Sequence, residues 1–305
     1  MEKIIISGAS GQFGRGAAEL LLEQGPAERL ILTSRTPAKL ADLAARGADV
    51  RFADFDDPAS LDSAFAGGDR MLLISTARVG SRVQQHQAAI DAAKRAGVRH
   101  IAYTSFLNVD RMDNPAIVTL DHRATEEAVR ASGLAWTFLR DSQYAEAVGM
   151  AIAPLAVANG RVPGSAGDGR VAFVSRQDCV ACAAAVLSAE HENQAYDLTG
   201  PELFTFPQTI ALIARMAGVP IDYVRVTDEG MFDYFDSLGV PRHASDDPNA
   251  APIPWSSDDM VTFEQAIREG FLDVQTDCVE RLTGRPPRRL EEVLEDYRPT
   301  WGAAG

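Results

Sequence analysis

Near the N-terminus the segment Ser7-Gly8-Ala9-Ser10-Gly11-Gln12-Phe13-Gly14 sets three glycines in a GxxGxxG spacing, directly after a short apolar run and directly before a helical one. That spacing suits a pyrophosphate. Gly8 allows a tight turn, Gly11 lets the backbone approach phosphates, and Gly14 lets the helix pack close to the strand, while free N–H groups and the helix dipole favour an anion. Ser10, Gln12 and Phe13 lie in the same turn and are counted with it. The alternative is a tight loop that holds nothing; the strand–turn–helix frame and the repeats downstream weigh against it.

After the second apolar run comes Ser34-Arg35, with Lys39 four residues on. An acidic residue at this place would bond a ribose 2′-hydroxyl, whereas a guanidinium accommodates a 2′-phosphate. The expected cofactor is therefore NADP(H). A charge-assisted bond to phosphate contributes about 1.5–3 kcal/mol, or one to two decades in affinity. Arg35 as a solvated surface charge is the competing reading. By position alone, Asp54 and Phe55 would flank the adenine, Ser75 and Thr76 would line the ribose and pyrophosphate, and Thr104 joins this set.

Other reactive residue types form no comparable pattern. Cys179 and Cys182 make a CxxC, but inside an Ala-rich helical stretch at 178–188, where residues i and i+3 share a face, so core packing is expected. With Cys278 the count is odd and no secretory signal precedes it, which argues against a disulfide framework. His86, His100, His122, His191 and His243 show no zinc-ligand spacing, and no metal is expected.

The elements that must carry these residues alternate from the start. Apolar runs at 4–7, 30–34, 50–53, 71–75, 100–105 and 135–140 read as strands. Helices lie between them: 12–24 places Phe13, Ala17, Leu20 and Leu21 at helical spacing, and 81–96 places Val83, Ile90 and Ala93 there less cleanly. Strands apolar almost throughout are covered on both faces, which implies a parallel sheet of the doubly wound α/β class. After Arg140 the rhythm changes. Turns at 159–164 and 166–169 surround short strands, a helix and a strand at 195–199 follow, and from Pro207 the chain reads as mostly helical. Its breaks are Gly218-Val219-Pro220, Gly239-Val240-Pro241 and a polar loop at 244–254, and the tail 300–305 reads as loose. The expected division is a dinucleotide-binding domain of residues 1–145 and 175–200 and a smaller, mainly helical substrate-capping domain of 146–174 and 201–305.

The chain has 305 residues, 46% hydrophobic and 24% charged, the composition of a packed globular protein. Its formal charge of −14 argues against nucleic acid, because an acidic surface repels the phosphate backbone. No window reaches the roughly eighteen apolar residues of a membrane span, and Met1-Glu2-Lys3-Ile4-Ile5-Ile6 opens as a strand, not a signal peptide. A cytoplasmic location, no membrane partner, and a monomer or homodimer are expected.

The segments Ser7–Gly14, Ser34-Arg35-Thr36-Pro37-Ala38-Lys39, Leu72-Leu73-Ile74-Ser75, Gln85-His86 through Val98 and Ile101-Ala102-Tyr103-Thr104-Ser105 together resemble the NmrA-like atypical short-chain dehydrogenases. Nearest among these is the NADPH-dependent quinone oxidoreductase and triphenylmethane reductase branch. The resemblance extends through Ala166-Gly167-Asp168-Gly169, Val171–Arg176 and Tyr196-Asp197-Leu198-Thr199-Gly200. It implies a Rossmann domain, a small C-terminal domain, and NADP(H) bound in a cleft between them.

Several site expectations depend on that resemblance. The usual Tyr and Lys of short-chain dehydrogenases are absent, and His122 and Glu126 occupy their spacing. Carbonyl reduction would thereby lose a proton relay typically worth about 10²–10⁴ in rate. A quinone or cationic dye stabilises the arriving charge itself and takes protons from water, leaving proximity to carry catalysis. His122 could donate a proton, oriented or charged by Glu126 one turn on, or could simply sit on a helix face. Ser105 lies where related enzymes keep a substrate-polarising hydroxyl, or merely closes its strand. In Arg140-Asp141-Ser142-Gln143-Tyr144-Ala145-Glu146-Ala147 only Arg140, Tyr144 and Glu146 fit the family pattern. Asp141 would suit a cationic or phenolic partner, or pair with Arg140, or cap the next helix. Phe106 and Tyr144 are either walls of a planar pocket or ordinary core. The leading expectation is hydride transfer from NADPH to a small conjugated acceptor without flavin. Only one nucleotide turn exists, and the basic end of the second strand disfavours an FAD-type ribose contact. The alternatives are a non-catalytic NADP-binding redox sensor, or a carbonyl or enone reductase of a secondary-metabolite or aromatic-degradation pathway.

Overall fold

The computed structural model describes residues 2–76, 82–243 and 256–302. Ser81, expected to open a helix, the polar loop at 244–254 and the last three residues of the tail, 303–305, lie outside the described residues. The strands are β1 (Ile4–Ile6), β2 (Leu30–Ser34), β3 (Asp49–Phe52), β4 (Arg70–Leu73), β5 (His100–Phe106), β6 (Ala135–Asp141), β7 (Arg161–Gly164), β8 (Arg170–Val171), β9 (Gln194–Leu198), β10 (Phe204–Thr205) and β11 (Asp222–Arg225). Seven of them form one sheet in the order β3-β2-β1-β4-β5-β6-β9. The pairs β2–β3, β1–β2, β1–β4 and β4–β5 are parallel.

The register explains why the centre of this sheet is so apolar. Ile4, Ile5 and Ile6 lie opposite Leu30, Ile31 and Leu32 on one side and Arg70, Met71 and Leu72 on the other. All three isoleucines are fully buried, as expected for a strand covered on both faces. Strand order reverses between β1 and β4, the switch point outside which doubly wound sheets bind their ligands.

The helices around the sheet are α1 (Gln12–Gln24), α2 (Ala41–Ala45), α3 (Ala59–Phe65), α4 (Arg82–Arg95) and α5 (Val118–Ser132); α6 (Ala145–Ala147), α7 (Ala153–Asn159) and α8 (Arg176–Ser188) follow. Helix α1 buries Phe13, Ala17 and Leu21 as its periodicity predicts, with Ala18 in the face and Leu20 half-buried. Helix α4 differs from the expectation. Val83 is exposed, and the inward face is Gln85, His86, Ala89, Ile90, Ala92 and Ala93. Two polar residues occupy the position given to an aliphatic one. Cys179 and Cys182 are buried on α8.

The chain divides into two compact units. The first comprises Met1–Ser105, Asp121–Arg140 and Gln177–Tyr196; the second comprises Phe106–Leu120, Asp141–Arg176 and Asp197–Gly305. Residues 106–120, kept with the first region in the sequence reading, fall in the second unit. Strands β5 and β6 thus each pass from one unit to the other at their last residue, after Ser105 and after Arg140. The second unit adds α9 (Phe206–Ala217), α10 (Asp228–Ser237), α11 (Ser257–Arg268), α12 (Cys278–Thr283) and α13 (Leu290–Tyr297). Its core gathers Phe173, Phe206, Ile210, Ile213, Leu272 and Leu294. Two small pairings brace it: β7 with β11, parallel, and β8 with β10, antiparallel. Strand β11 interrupts a stretch expected to be helical, just after Gly218 ends α9 in a left-handed conformation.

Candidate functional site

At the end of β1, Gly8 and Gly14 have the backbone geometry that their spacing predicts. Gly8 has φ of +58°, a conformation that L side chains rarely adopt. A Cβ on Gly14 would lie 2.6 Å from the Gly8 carbonyl oxygen and 2.8 Å from Ala9 Cα, so only glycine lets α1 pass this close to the turn. Gly11 is the N-cap of α1 in extended conformation and brings no side chain of its own to the first-turn amides. The turn is tied to β2 through the Ala9 amide and Thr33 carbonyl at 2.9 Å and through the Ser10 and Ser34 hydroxyls at 2.8 Å. Ser34 Oγ also accepts from the Thr36 amide at 2.9 Å.

Arg35 and Lys39 follow immediately and are exposed. Among the described residues neither side chain enters a hydrogen bond or an ion pair. The nearby carboxylate Asp42 is taken by Arg15, whose guanidinium lies 2.8 Å away and holds it down at about 2. Arg15 also donates to the Lys39 carbonyl at 2.7 Å. Two exposed cations therefore stand beside the glycine turn. These residues fit a dinucleotide carrying an extra phosphate.

Beyond β3, Asp54 and Phe55 are half-buried; Asp54 Oδ1 accepts from the Asp56 amide at 3.0 Å. Beyond β4, three successive amides each meet a side-chain acceptor from a different element. Ile74 N–H donates to Ser7 Oγ, Ser75 N–H to Thr104 Oγ1, and Thr76 N–H to His86 Nε2, at 2.9, 2.9 and 3.1 Å. Ser75 and Thr76 are thus held in place. Thr104 braces Ser75, and His86 braces Thr76.

His122 and Glu126 share α5 but not a contact of the expected kind. His122 is 5% exposed, and its Nδ1 lies 2.8 Å from the Tyr103 hydroxyl. Burial, then the charge of Arg82 and then His86, drives its pKa well below the ordinary value, so the ring is neutral at pH 7. Glu126 faces elsewhere: it takes Arg140 through Nε at 3.0 Å and NH2 at 2.9 Å, Arg130 at 3.0 Å, and the Ser105 hydroxyl at 2.7 Å. The expectation that Glu126 orients or charges His122 is thereby corrected. Ser105 donates its proton to a carboxylate that also holds two guanidinium groups. It does not point that proton at an acceptor.

In the second unit Asp141 is buried and accepts from the Tyr144 hydroxyl at 2.6 Å, with the Arg176 guanidinium 5.4 Å above the Tyr144 ring. Arg140, the partner weighed for Asp141, donates to Glu126 through two of its nitrogens. Phe106 is 8% exposed and meets Phe263 edge-on at 5.5 Å between centroids. Glu146 accepts from the Arg176 amide at 2.8 Å, a carboxylate at the N-terminus of α8.

Sequence reasoning missed the Glu126–Arg140 pair, the Tyr103 hydroxyl, and His86 with its partner Thr125. Only His86 left a signal, a histidine on the face that Ile90 and Ala93 share. No cluster of three or more His, Cys, Asp or Glu placed to hold a metal occurs among the described residues, and no helix there is long and apolar enough to cross a membrane.

A family model described as NAD(P)H-binding matches residues 8–190 of the 305. Quinone oxidoreductase 2 of Escherichia coli (strain K12) is 39% identical over 292 residues, 95% of this chain and 97% of that protein. Among solved structures, the NADPH-dependent quinone oxidoreductase of Escherichia coli complexed with NADPH has a TM-score of 0.87 at 35% identity, covering 96% of this chain and 99% of that one. Citrobacter sp. triphenylmethane reductase complexed with NADP(H) has a TM-score of 0.85 at 29% identity, covering 97% and 100%.

Proposed function

The chain belongs to the NAD(P)H-binding family, and from that premise we propose that it is an NADPH-dependent oxidoreductase that delivers a hydride to a quinone or similarly conjugated small molecule without flavin or metal. The names of the relatives above support this reading. The observation that carries it is the state of α5: the residues at the Tyr and Lys spacing are a neutral histidine buried against Tyr103 and a carboxylate bound to two arginines and Ser105. Neither is set to protonate a carbonyl oxygen as hydride arrives. An acceptor that delocalises the incoming electron pair over a conjugated ring does not need that help, since water supplies the proton that completes a hydroquinone.

The chain's own residues then act mainly by binding and orientation. Amides of the turn from Gly8 to Phe13 hold the pyrophosphate, and Arg35 and Lys39 receive the 2′-phosphate. Asp54 and Phe55 border the adenine, and Ser75, Thr76 and Thr104 shape the wall beside the ribose. When bound, NADPH supplies the hydride. Phe106 and Tyr144 offer flat faces to an acceptor, Asp141 fixing the Tyr144 hydroxyl. The test is loss of NADPH absorbance with panels of quinones, ketones and enones. Turnover confined to quinones and conjugated dyes is expected, and binding of NADPH without consumption of any acceptor would replace the enzyme by a sensor.

A further inference from the structure

Resting on the reading of Ser75 and Thr76 as cofactor-facing residues, we propose that His86 is a positioning residue, a neutral imidazole clasp that fixes the turn after β4 in the form that receives NADPH. His86 is 0% exposed and enters from α4, while Thr76 lies three residues past the end of β4. Its tautomer is dictated by its partners. Thr125 Oγ1 gives its one proton to the Asp121 carbonyl at 2.8 Å, so the 2.9 Å contact with His86 Nδ1 requires a proton on the nitrogen. Nε2 therefore carries the lone pair that accepts from the Thr76 amide at 3.1 Å. A second proton on the ring would set two donors against each other at Thr76. Burial, with the charge of Arg82 behind it, keeps that proton off, holding the pKa down at about 3.

The clasp has a fixed backing. Thr125 belongs to α5, and the ring of Tyr103 on β5 meets His86 edge-on at 5.5 Å. Ser7 and Thr104 hold the two preceding amides, from β1's end and from β5. His86 differs from these two in reaching its amide, the third past β4, from a helix. With the acceptor removed, the part-buried Thr76 N–H loses its partner, and the turn rearranges to satisfy it.

Two substitutions separate the halves of the ring. Gln at position 86 can place an acceptor where Nε2 lies, and Asn can place a donor where Nδ1 lies. In the full-length protein, His86→Asn should raise KM for NADPH about ten-fold with kcat within about two-fold, and should speed hydrogen exchange at the Thr76 amide. His86→Gln should recover most of the wild-type KM and the slow exchange. Thermal melts check that both variants fold. Equal KM and equal Thr76 exchange in the two variants would overturn the clasp. If instead the two variants differ at the Thr76 amide but the wild type neither binds nor oxidises NADPH, the clasp's geometry stands, its role toward the cofactor is overturned, and the functional reading falls with it.

Discussion

The turn after β1 and the cluster behind β5 are both rich in polar groups, yet they are resolved in opposite ways. At the turn, the N-cap of α1 is a glycine with no side chain to cap the helix, and among the described residues the side chains of Arg35 and Lys39 enter no hydrogen bond or ion pair. Behind β5, Tyr103 meets His122, Ser105 and two arginines meet Glu126, and His86 bridges Thr76 and Thr125. The first arrangement has capacity left for a ligand. The second uses its capacity internally, which is what a rigid support requires and what a proton donor cannot be.

The largest effect should come from opening the closed cluster. Glu126 is 1% exposed and holds Arg140, itself 8% exposed, by two hydrogen bonds at the residue where β6 leaves the first unit. Glu126→Ala removes one partner of a buried ion pair, at a cost of about 3–5 kcal/mol. Urea unfolding measures it. A loss under about 1 kcal/mol would mean that the cluster is a surface pair in all but position, and the contrast with the turn would dissolve.

Next comes the open site. Removing one charge-assisted contact with Arg35→Ala should raise KM for NADPH by about ten- to a hundred-fold and leave KM for NADH within about two-fold. Equal losses with both cofactors would show that Arg35 supports the turn and does not read the 2′-phosphate.

How much of each region was legible in the sequence follows from the same difference. The turn is made of main chain, and main chain restricts residue type: φ of +58° selects Gly8, and a helix passing within 2.6 Å of a carbonyl selects Gly14. Residue types there report geometry directly. The seven-stranded sheet was legible for a related reason, since doubly covered strands are apolar at every position. The cluster is made of side chains whose partners lie far along the chain. Arg140 meets Glu126, fourteen residues away, because β6 and α5 pack in that register. On α4, Ile90 and Ala93 are buried as expected and Val83 is exposed. An aliphatic residue is the usual occupant of a buried face, and His86 is not. His86 fills that face because Thr76 and Thr125 satisfy both ring nitrogens.

A smaller effect sharpens the comparison through pH. Burial, the main cause in each case, holds His86 at about 3, His100 at about 4 and His122 well below 6.5. Above pH 6.5 neither the folded nor the unfolded chain protonates these rings, and their contribution is fully present. As pH falls from 6.5 towards 4 the unfolded chain takes protons that the folded one refuses, and stability declines by up to about 1.4 kcal/mol per pH unit for each ring. Glu264 works the other way. Burial raises it to about 7 despite its bonds to the Ser165 and Ala166 amides, so its contribution is full below about 4.5 and is lost as pH rises through 7. Three rings against one carboxyl predict a net fall on acidification, read from urea melts between pH 7.5 and 4.5, with the slope reduced by one proton in His86→Gln. A stability that is flat across this window would place the histidines in water.

The smallest effect concerns the residue that sequence spacing singled out for catalysis. His122→Asn keeps an acceptor near the position of Nδ1 for the Tyr103 hydroxyl, and so preserves the cluster while deleting any imidazole chemistry. With a quinone as acceptor, kcat should stay within about three-fold of wild type. A general acid lost from the reaction would instead lower it by about 10²–10⁴, and the pH profile of kcat would lose its limb near neutrality. That result would mean that Tyr103 and His122 move apart when NADPH binds and that the closed cluster opens during turnover, which would make the two regions one site. Retention of activity means that hydride transfer depends on where the cofactor and acceptor are held, and that α5 contributes a wall and not a proton.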